Sequence, residues 1–240
     1  MHPTVRLNPD LDIKALADEF ESNGRLQVHN VLTTESAIAL RSLLADQTPW
    51  CLATQAGASA PAQVISNRTL CSMSDAEVAA ASELAAADPD YGFTYHSYPL
   101  VTAYLERWSP GSPHERLLED LNSPPMLGFM RAVTGMNEIV KMDGQATLYS
   151  PGEFLRPHTD AESQKGRLVA YVLGLTAGEW DPAWGGALRF IGGDGDSDTT
   201  FQPTFNSLSL FRVPQWHEVT RVRADAPIAR YAVTGWARDR

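Results

Sequence analysis

The sequence has few cysteines and no long apolar run. Its two cysteines, Cys51 and Cys71, are too few for a disulfide framework in a chain of 240 residues and are predicted to be free thiols. The longest apolar run, at about 168–175, is far too short to span a membrane, and the N-terminal segment lacks the charged-then-apolar pattern of a signal peptide. These absences predict a cytoplasmic protein without a membrane partner.

Basic side chains are also scarce. Three lysines and 16 arginines stand against 29 acidic residues, which gives a net charge of −10, and the basic residues form no stripe. A nucleic-acid partner would require clustered lysine and arginine, so this composition argues against one. The partner expected instead is a small-molecule or peptidyl substrate, and nothing in the sequence indicates the oligomeric state.

Helical signals fill the first half of the chain. Apolar periodicity and capping residues predict five helices, at about 11–22, after Thr33, from Ser74 to Asp88, at 113–121 and at 124–134. Short strands are predicted between them, at about 26–31, 50–55 and 63–70. These elements are interpreted as support for a core that lies later in the chain.

Strand signals replace the helical ones after residue 136. Helices followed by strands, in a length that suits one domain, predict a single α+β domain spanning residues 1–240. In this interpretation residues 1–136 form a helical and mixed support and the wall of a pocket. Residues 137–240 form a barrel-like sheet as the core that holds the functional site.

Residues 91–100 (YGFTYHSYPL) are dense in aromatic side chains and lack helical periodicity. One interpretation is a packed loop or an edge strand, because aromatic side chains are usually core residues. The other is a lid or wall over a pocket, because binding residues often lie on loops carried by a rigid scaffold. Both interpretations stay open from the sequence.

His158 and Asp160 are the first candidate ligands of a metal ion. Two positions apart on an extended chain, they point to the same side. His217 is the only histidine that follows, and it completes a set of two histidines and one carboxylate that suits Fe(II) and leaves positions open for substrate and oxygen. The other histidines are predicted to be surface or packing residues: His2, His29, His96 and His114.

Residues 230–236 (RYAVTGW) predict a strand that places Arg230 and Thr234 on one face. An arginine directed into a sheet interior needs a partner, since burying an unpaired guanidinium is costly. A carboxylate ligand provides one through bidentate hydrogen bonds. In a second strand, at about 145–149, three polar side chains share a face, as in the wall of a polar pocket: Gln145, Thr147 and Tyr149.

Together these segments resemble the prolyl 4-hydroxylase-like branch of the 2-oxoglutarate and Fe(II)-dependent oxygenases. The resemblance covers residues 138–237. It rests on the strand at 145–149, the Pro151-Gly152 turn, the His158/Asp160 pair, and the segments GRLVAYVLGLTAGEWDPAWGGALRF, WHEV and RYAVTGW. It implies a double-stranded β-helix, or jelly roll, for this core, and hydroxylation of an unactivated C–H bond on a prolyl residue or another amino-acid-like substrate. Related halogenases lack the carboxylate of Asp160, so its presence implies hydroxylation or desaturation rather than halogenation.

The resemblance also implies the cofactors and the residues that bind them. Fe(II) is bound by the catalytic set, which is His158, Asp160 and His217. The cosubstrate 2-oxoglutarate is bound by Arg230 together with Tyr149 and Thr234. The oxidant is O2, and ascorbate is a candidate reductant.

The sequence departs from the family pattern in two places. The segment before Arg230 is longer than expected, so Arg221 or Arg223 is an alternative for the carboxylate-binding role, although the RYAVTGW context favours Arg230. Gly174 stands where relatives often have a second cosubstrate tyrosine. The remaining candidates for that second role are Tyr149, Thr234 and Tyr171.

Two other classes of protein can use the same metal ligands. A hydrolytic zinc enzyme would need a nearby general base, for which Glu153 and Glu218 are candidates, but it leaves Arg230 without a role. A cupin-like binding or isomerase domain would share the strand architecture but usually has more clustered histidines. The oxygenase is therefore favoured. Its substrate stays open among a peptidyl proline, a free amino acid and a small natural product, as does hydroxylation against desaturation.

Overall fold

The structure is a computed structural model that describes residues 5–160, 166–192 and 199–240. The helices of these ranges are α1 (Ile13–Asn23), α2 (Thr34–Asp46), α3 (Asn67–Leu70), α4 (Asp75–Ala86), α5 (Leu100–Leu105), α6 (Pro113–Leu121) and α7 (Pro124–Thr134), with a 3-10 helix at Pro182–Trp184. None of these helices is long and apolar enough to cross a bilayer.

Four strands lie among the helices, and nine more follow α7 in the described part of the chain. They are β1 (Arg25–His29), β2 (Cys51–Ala56), β3 (Gln63–Ile65), β4 (Gly92–Tyr98), β5 (Lys141–Met142), β6 (Gln145–Tyr149), β7 (Phe154–His158), β8 (Arg167–Leu175), β9 (Leu188–Phe190), β10 (Thr199–Phe201), β11 (Phe205–Arg212), β12 (His217–Val219) and β13 (Arg230–Arg238).

These strands join into a nearly closed antiparallel barrel. Along its path the order is β1-β11-β8-β13-β6-β4-β7-β12-β9-β10, with β2 and β3 attached beside β4 and β5 beside β13. Neighbours that lie far apart in the chain, such as β13 beside β6 and β12 beside β7, are typical of a jelly roll. The predicted fold class, an α+β protein with a double-stranded β-helix core and N-terminal supporting helices, is confirmed.

Part of the barrel comes from the first half of the chain. β4 pairs with β2 along one edge, and along its other edge with β7 at Phe93–Thr94 and with β6 at His96–Tyr98. β1 pairs with β11 at the end of the sheet. The segment before residue 137 therefore supplies wall strands as well as helices. The organisation of residues 1–240 as a single domain stays a prediction.

Capping chemistry explains the helix boundaries. The Ser74 side chain accepts a hydrogen bond from the Glu77 amide, and the Glu77 carboxylate accepts one from the Ser74 amide at 2.7 Å, which is the predicted capping box. α6 and α7 begin at a proline that follows a serine and span the predicted residues 113–121 and 124–134. α1 ends at Gly24, whose φ of 64° is left-handed and favours glycine.

The structure differs from the sequence prediction in two elements. The strand predicted at 63–70 ends at Ile65, because Ser66 caps α3 by accepting a hydrogen bond from the Thr69 amide. The predicted helices do not include α5, which begins after Pro99 without any side-chain cap hydrogen bond. Without a capping residue the sequence contains no start signal for that helix.

The helices cover the outer face of the barrel. α2 packs on β8 and β11, and α1 packs on α7. Buried side chains from the helices, such as Phe20, Leu40 and Met130, belong to one cluster with Leu173 and Val233 of the strands. Each such side chain contributes about 1.5–3 kcal/mol when fully buried. This packing stabilises the wall from outside and leaves its inner face free to line a cavity.

Gly174 in β8 is required by the close approach of the segment that leads into β11. A Cβ at this position would lie 2.5 Å from the carbonyl oxygen of Thr204 and 2.6 Å from Oγ of Ser207. We expect Gly174→Ala to lower the free energy of unfolding by about 1–3 kcal/mol, measured by urea denaturation.

The control for this substitution is Gly128→Ala in α7. Gly128 is exposed and nothing lies within 4 Å of the site of its Cβ. Alanine is the better helix former, so this change should stabilise the protein by about 0.5–1 kcal/mol. Effects of the same sign at Gly174 and Gly128 would contradict the steric explanation.

Candidate metal centre and its cavity

The inner face of the barrel surrounds a large cavity. Its volume is about 890 Å³, which lies within the range of about 300–1,000 Å³ that small-molecule sites occupy. As the strand alternation predicts, β6 directs its three polar side chains into the cavity, namely Gln145, Thr147 and Tyr149. From the neighbouring strand β13, Arg230 and Thr234 line the same space.

His158, Asp160 and His217 meet at this cavity. His158 ends β7 and lies opposite His217 of β12 in the antiparallel register, with ring centroids 4.2 Å apart. The carboxylate oxygens of Asp160 lie 3.9 Å from Nε2 of His158 and 3.8 Å from Nε2 of His217. One ligand atom from each residue lies within 4.8 Å of the others. The three side chains can therefore converge on one ion.

Backbone carbonyls orient both imidazole rings in the same way. Nδ1 of His158 lies 2.9 Å from the carbonyl oxygen of Arg156, and Nδ1 of His217 lies 2.9 Å from that of Gln215. The tautomer that satisfies both contacts has Nδ1–H as the donor, which leaves the Nε2 lone pair for a metal. Two neutral imidazoles and one carboxylate form the donor set that suits Fe(II), so these residues fit the metal that the resemblance implies.

The surroundings of His217 favour its neutral form. Its ring is buried and lies 4.6 Å from the ring of Phe211, between centroids. Burial lowers the pKa of His217, the nearby His158 lowers it further, and Asp160 opposes the shift. A neutral imidazole at pH 7 keeps the lone pair that a metal ion needs.

Arg167 at the start of β8 holds the carboxylate in place. Its Nη1 lies 3.6 Å from Oδ1 of Asp160, and it donates a hydrogen bond to the Asp160 carbonyl oxygen at 3.5 Å. Its Cζ lies 3.4 Å from the centroid of the Trp236 ring, a cation–π contact. Sequence reasoning missed Arg167. Its only signal there is an arginine at the start of the strand that follows the ligand pair.

Arg230 is a buried cation in the cavity wall. Only 4% of its surface is exposed, and it lies opposite Tyr149 in the register of β13 with β6. Its Cζ lies 5.0 Å from the centroid of the Tyr149 ring, and burial lowers the pKa of Arg230. Nη1 has no hydrogen-bond partner among the described residues. Because a buried unpaired guanidinium is costly, this position fits an anionic ligand.

The two alternative arginines lie outside the cavity. Arg221 is exposed, and its Cζ lies 5.0 Å from the centroid of the Phe154 ring. Arg223 is exposed and forms an ion pair with Asp225 at 2.8 Å. Neither side chain lines the cavity. Of the three arginines considered from the sequence, Arg230 alone can reach a ligand there.

The three candidates for the second carboxylate partner differ in what their hydroxyls already do. Tyr149, Thr234 and Tyr171 all line the cavity. The Tyr171 hydroxyl donates a hydrogen bond to the carbonyl oxygen of Asp143 at 2.8 Å, so its proton is already used. Burial raises the pKa of Tyr149, which keeps its hydroxyl protonated and able to donate. Tyr171 is therefore the weakest of the three candidates.

The aromatic segment at 91–100 forms a wall of the cavity. β4 has neighbours on both sides, so it is neither a loop nor an edge strand. Tyr91, Phe93 and Tyr95, at every second position, line the cavity. The rings of Tyr95 and Tyr149 stack at 5.1 Å between centroids. Sequence reasoning did not single out Tyr95, although the alternation of aromatic residues was a usable signal.

The candidate general bases of a zinc hydrolase do not line the cavity. Glu153 is buried, and its carboxylate lies 2.8 Å from Nδ1 of His96. Glu218 forms an ion pair with Arg189. Because strand side chains alternate, Glu218 points away from the face on which its neighbour His217 lies. Neither Glu153 nor Glu218 can therefore act as the general base that the hydrolase interpretation requires at the metal cluster.

The remaining histidines lie away from the metal cluster. His29 is exposed at the end of β1. His114 is buried, and its Nε2 lies 3.0 Å from Oγ1 of Thr48. These positions agree with surface and packing roles. His2 lies outside the described residues.

Comparisons with known proteins agree with this architecture. Residues 144–238 match the model of the 2OG-Fe(II) oxygenase superfamily. A prolyl-4-hydroxylase from Pseudomonas putida is 22% identical, with a TM-score of 0.58 over 95% of this chain and 99% of that one. An oxidoreductase of the 2OG-Fe(II) oxygenase family from Burkholderia pseudomallei is 15% identical, with a TM-score of 0.64 over 98% of this chain and 94% of that one.

A third similar structure is a prolyl hydroxylase from Trichoplax adhaerens, in complex with a peptide fragment of the hypoxia inducible factor oxygen degradation domain. It is 15% identical, with a TM-score of 0.59 over 95% of this chain and 89% of that one. No curated protein sequence matches the chain. At these identities the solved structures establish the shared fold.

The metal cluster predicts that a divalent ion stabilises the protein. With Fe(II) under anaerobic conditions, or Mn(II) as a substitute, at about 100 times the Kd, the wild type should gain about 2.7 kcal/mol, measured as a rise in Tm. His158→Ala and Asp160→Ala should show no such rise. His29→Ala, which removes an exposed histidine, is the control and should keep it. A full rise in His158→Ala would contradict the assignment.

Proposed function

We propose that the chain, whose residues 144–238 match the model of the 2OG-Fe(II) oxygenase superfamily, hydroxylates an unactivated C–H bond of a prolyl residue or another amino-acid-like substrate. It is an enzyme that uses Fe(II), 2-oxoglutarate and O2. One observation carries the proposal: the metal cluster and the buried Arg230 with its unpartnered Nη1 border the same cavity. A metal ion accounts for the metal cluster, and an anionic ligand accounts for the buried Arg230.

The metal cluster has a defined part in this proposal. When bound, Fe(II), O2 and 2-oxoglutarate supply the oxidising chemistry, in which 2-oxoglutarate becomes succinate and carbon dioxide as the substrate is hydroxylated. His158, Asp160 and His217 would hold the metal as a set of two histidines and one carboxylate, the donor set that suits Fe(II) and leaves positions for other ligands. Arg167 restrains the Asp160 carboxylate, so that both oxygens stay near the two Nε2 atoms.

The proposed cosubstrate pocket lies along β6 and β13. Arg230 binds the distal carboxylate of 2-oxoglutarate through charge-assisted hydrogen bonds. Tyr149 and Thr234 offer hydroxyl groups beside it. The apolar side chains of Leu188 and Val219, which also line the cavity, exclude water. Electrostatic interactions with the bound anion are stronger in such surroundings than in water.

The carboxylate ligand supports an outcome other than halogenation. Asp160 is buried at the metal cluster, with its two oxygens near the two imidazoles. Related halogenases lack this carboxylate and bind a halide at the metal instead. A chain that retains Asp160 keeps that position for its own ligand, which is compatible with hydroxylation and with desaturation, and we propose hydroxylation.

The substrate in this proposal is a small molecule or a peptide segment. The peptide bound in the structure from Trichoplax adhaerens supports a peptidyl substrate. Trp216, 57% exposed at the edge of the cavity, offers an aromatic face to it. The free thiols of Cys51 and Cys71 fit the cytoplasm, which we propose as the location. A net charge of −10 supports a partner other than nucleic acid.

An anaerobic titration tests the proposed function. Fe(II) and 2-oxoglutarate together should produce a weak visible charge-transfer band in the wild type, because the keto acid chelates the iron. Succinate release should then depend on the substrate when a panel of prolyl peptides, amino acids and small natural products is supplied with O2. A zinc hydrolase or a binding domain would give neither signal, and their absence would refute the oxygenase.

Arg230→Ala should separate cosubstrate binding from metal binding. Truncating one partner of a buried charge pair costs about 2–5 kcal/mol, so 2-oxoglutarate should bind at least about 30-fold more weakly. The metal-induced rise in Tm should remain. Arg223→Ala, at an exposed arginine of the same segment, is the control and should leave both properties unchanged. An unchanged 2-oxoglutarate affinity in Arg230→Ala would remove Arg230 from the site.

A further inference from the structure

The proposed cosubstrate pocket has no tyrosine at the β8 position where relatives often have one. That position is Gly174, and the carbonyl oxygen of Thr204 and the hydroxyl of Ser207 occupy the space that a side chain would need. Because glycine has no side chain, this position cannot provide a hydroxyl group. The tyrosine that β8 does place in the cavity, Tyr171, already donates its proton to the carbonyl oxygen of Asp143, so a second tyrosine with a free proton must come from another strand.

Tyr95 lies in the same row of side chains as Arg230 and Tyr149. Arg230 faces Tyr149 across β13 and β6. The register of β4 with β6, in which His96 faces Leu148, puts Tyr95 beside Tyr149. The ring of Tyr149 lies 5.0 Å from Cζ of Arg230 and 5.1 Å from the ring of Tyr95, with 26° between the two ring planes. Three adjacent strands thus bring the cation and two phenols together.

The hydroxyl of Tyr95 is oriented and has an unused proton. Nε2 of Gln145 donates a hydrogen bond to it at 3.3 Å. None of the described residues accepts the proton of this hydroxyl. Burial raises the pKa of Tyr95, so the group stays a neutral donor at pH 7. Tyr95 is half-buried and lines the cavity, so an oxygen atom of a ligand bound there is the expected acceptor of this proton.

We propose that Tyr95 is the second tyrosine of the cosubstrate pocket and donates a hydrogen bond to the distal carboxylate of 2-oxoglutarate. The inference rests on the proposed function. Arg230 supplies the charge, and Gln145 is a positioning residue that acts through Tyr95. The donor therefore comes from β4, in the first half of the chain, and compensates for Gly174 in β8.

Two 2-oxo acids that differ only at the distal end test this inference. 2-Oxoglutarate and 2-oxovalerate can both chelate Fe(II), but 2-oxovalerate has a methyl group in place of the distal carboxylate. Their dissociation constants would be measured anaerobically from the visible absorbance of the chelate. Tyr95→Phe should weaken 2-oxoglutarate binding about 10- to 100-fold, the effect of one hydrogen bond to a charged group, and leave 2-oxovalerate binding unchanged.

Tyr98→Phe is the matched control. Tyr98 belongs to the same strand, but its buried ring packs against Trp108 and His114 and does not line the cavity. This change should alter neither dissociation constant. Gln145→Met should weaken 2-oxoglutarate binding less than Tyr95→Phe does. The double variant should show less than the sum of the two effects, because both changes act on one hydroxyl.

The outcomes distinguish this inference from the proposed function. An equal loss for both acids in Tyr95→Phe would overturn the inference, since Tyr95 would then act at the metal or on the fold. No loss for either acid would overturn it as well. If the wild type binds Fe(II) but forms a chelate with neither acid, the oxygenase function is refuted and the inference falls with it.

Discussion

The pairing of β12 with β7 is the interaction on which the metal site depends. It places His217 directly opposite His158, although 58 positions separate them in the chain. A shift of this register by one residue would turn one imidazole to the other face of the barrel and remove a ligand. The carbonyl oxygens of Arg156 and Gln215 complete the arrangement, since each lies two residues before a histidine and orients its ring.

The outer face of the barrel wall stabilises the fold, and the inner face carries the polar groups of the cavity. Apolar side chains from the helices cover the outer face and form one buried cluster with those of the strands. The inner face can therefore carry a buried cation, Arg230, whose Nη1 lacks a partner in the described residues. Such a group lowers stability in the free protein and is compensated when an anion binds.

Much of this architecture is readable from local sequence. Helix boundaries at 113–121 and 124–134 follow from a serine before a proline, because capping chemistry acts over three or four residues. Strand alternation predicts which side chains of β6 and β13 face the cavity. The candidate metal ligands follow from the short spacing of His158 and Asp160, and from His217 as the one histidine after them. Each of these predictions depends on residues close together in the chain or on the chemical type of a single residue.

The long-range contacts were decided only by the folded chain. Arg167 reaches Asp160, and Tyr95 reaches Tyr149, through strands whose neighbours cannot be inferred from spacing alone. The choice of Arg230 over other arginines also required knowing which side chains are buried at the cavity. Local sequence selects an element and its inward face, whereas contacts between distant strands depend on register and closure of the whole barrel.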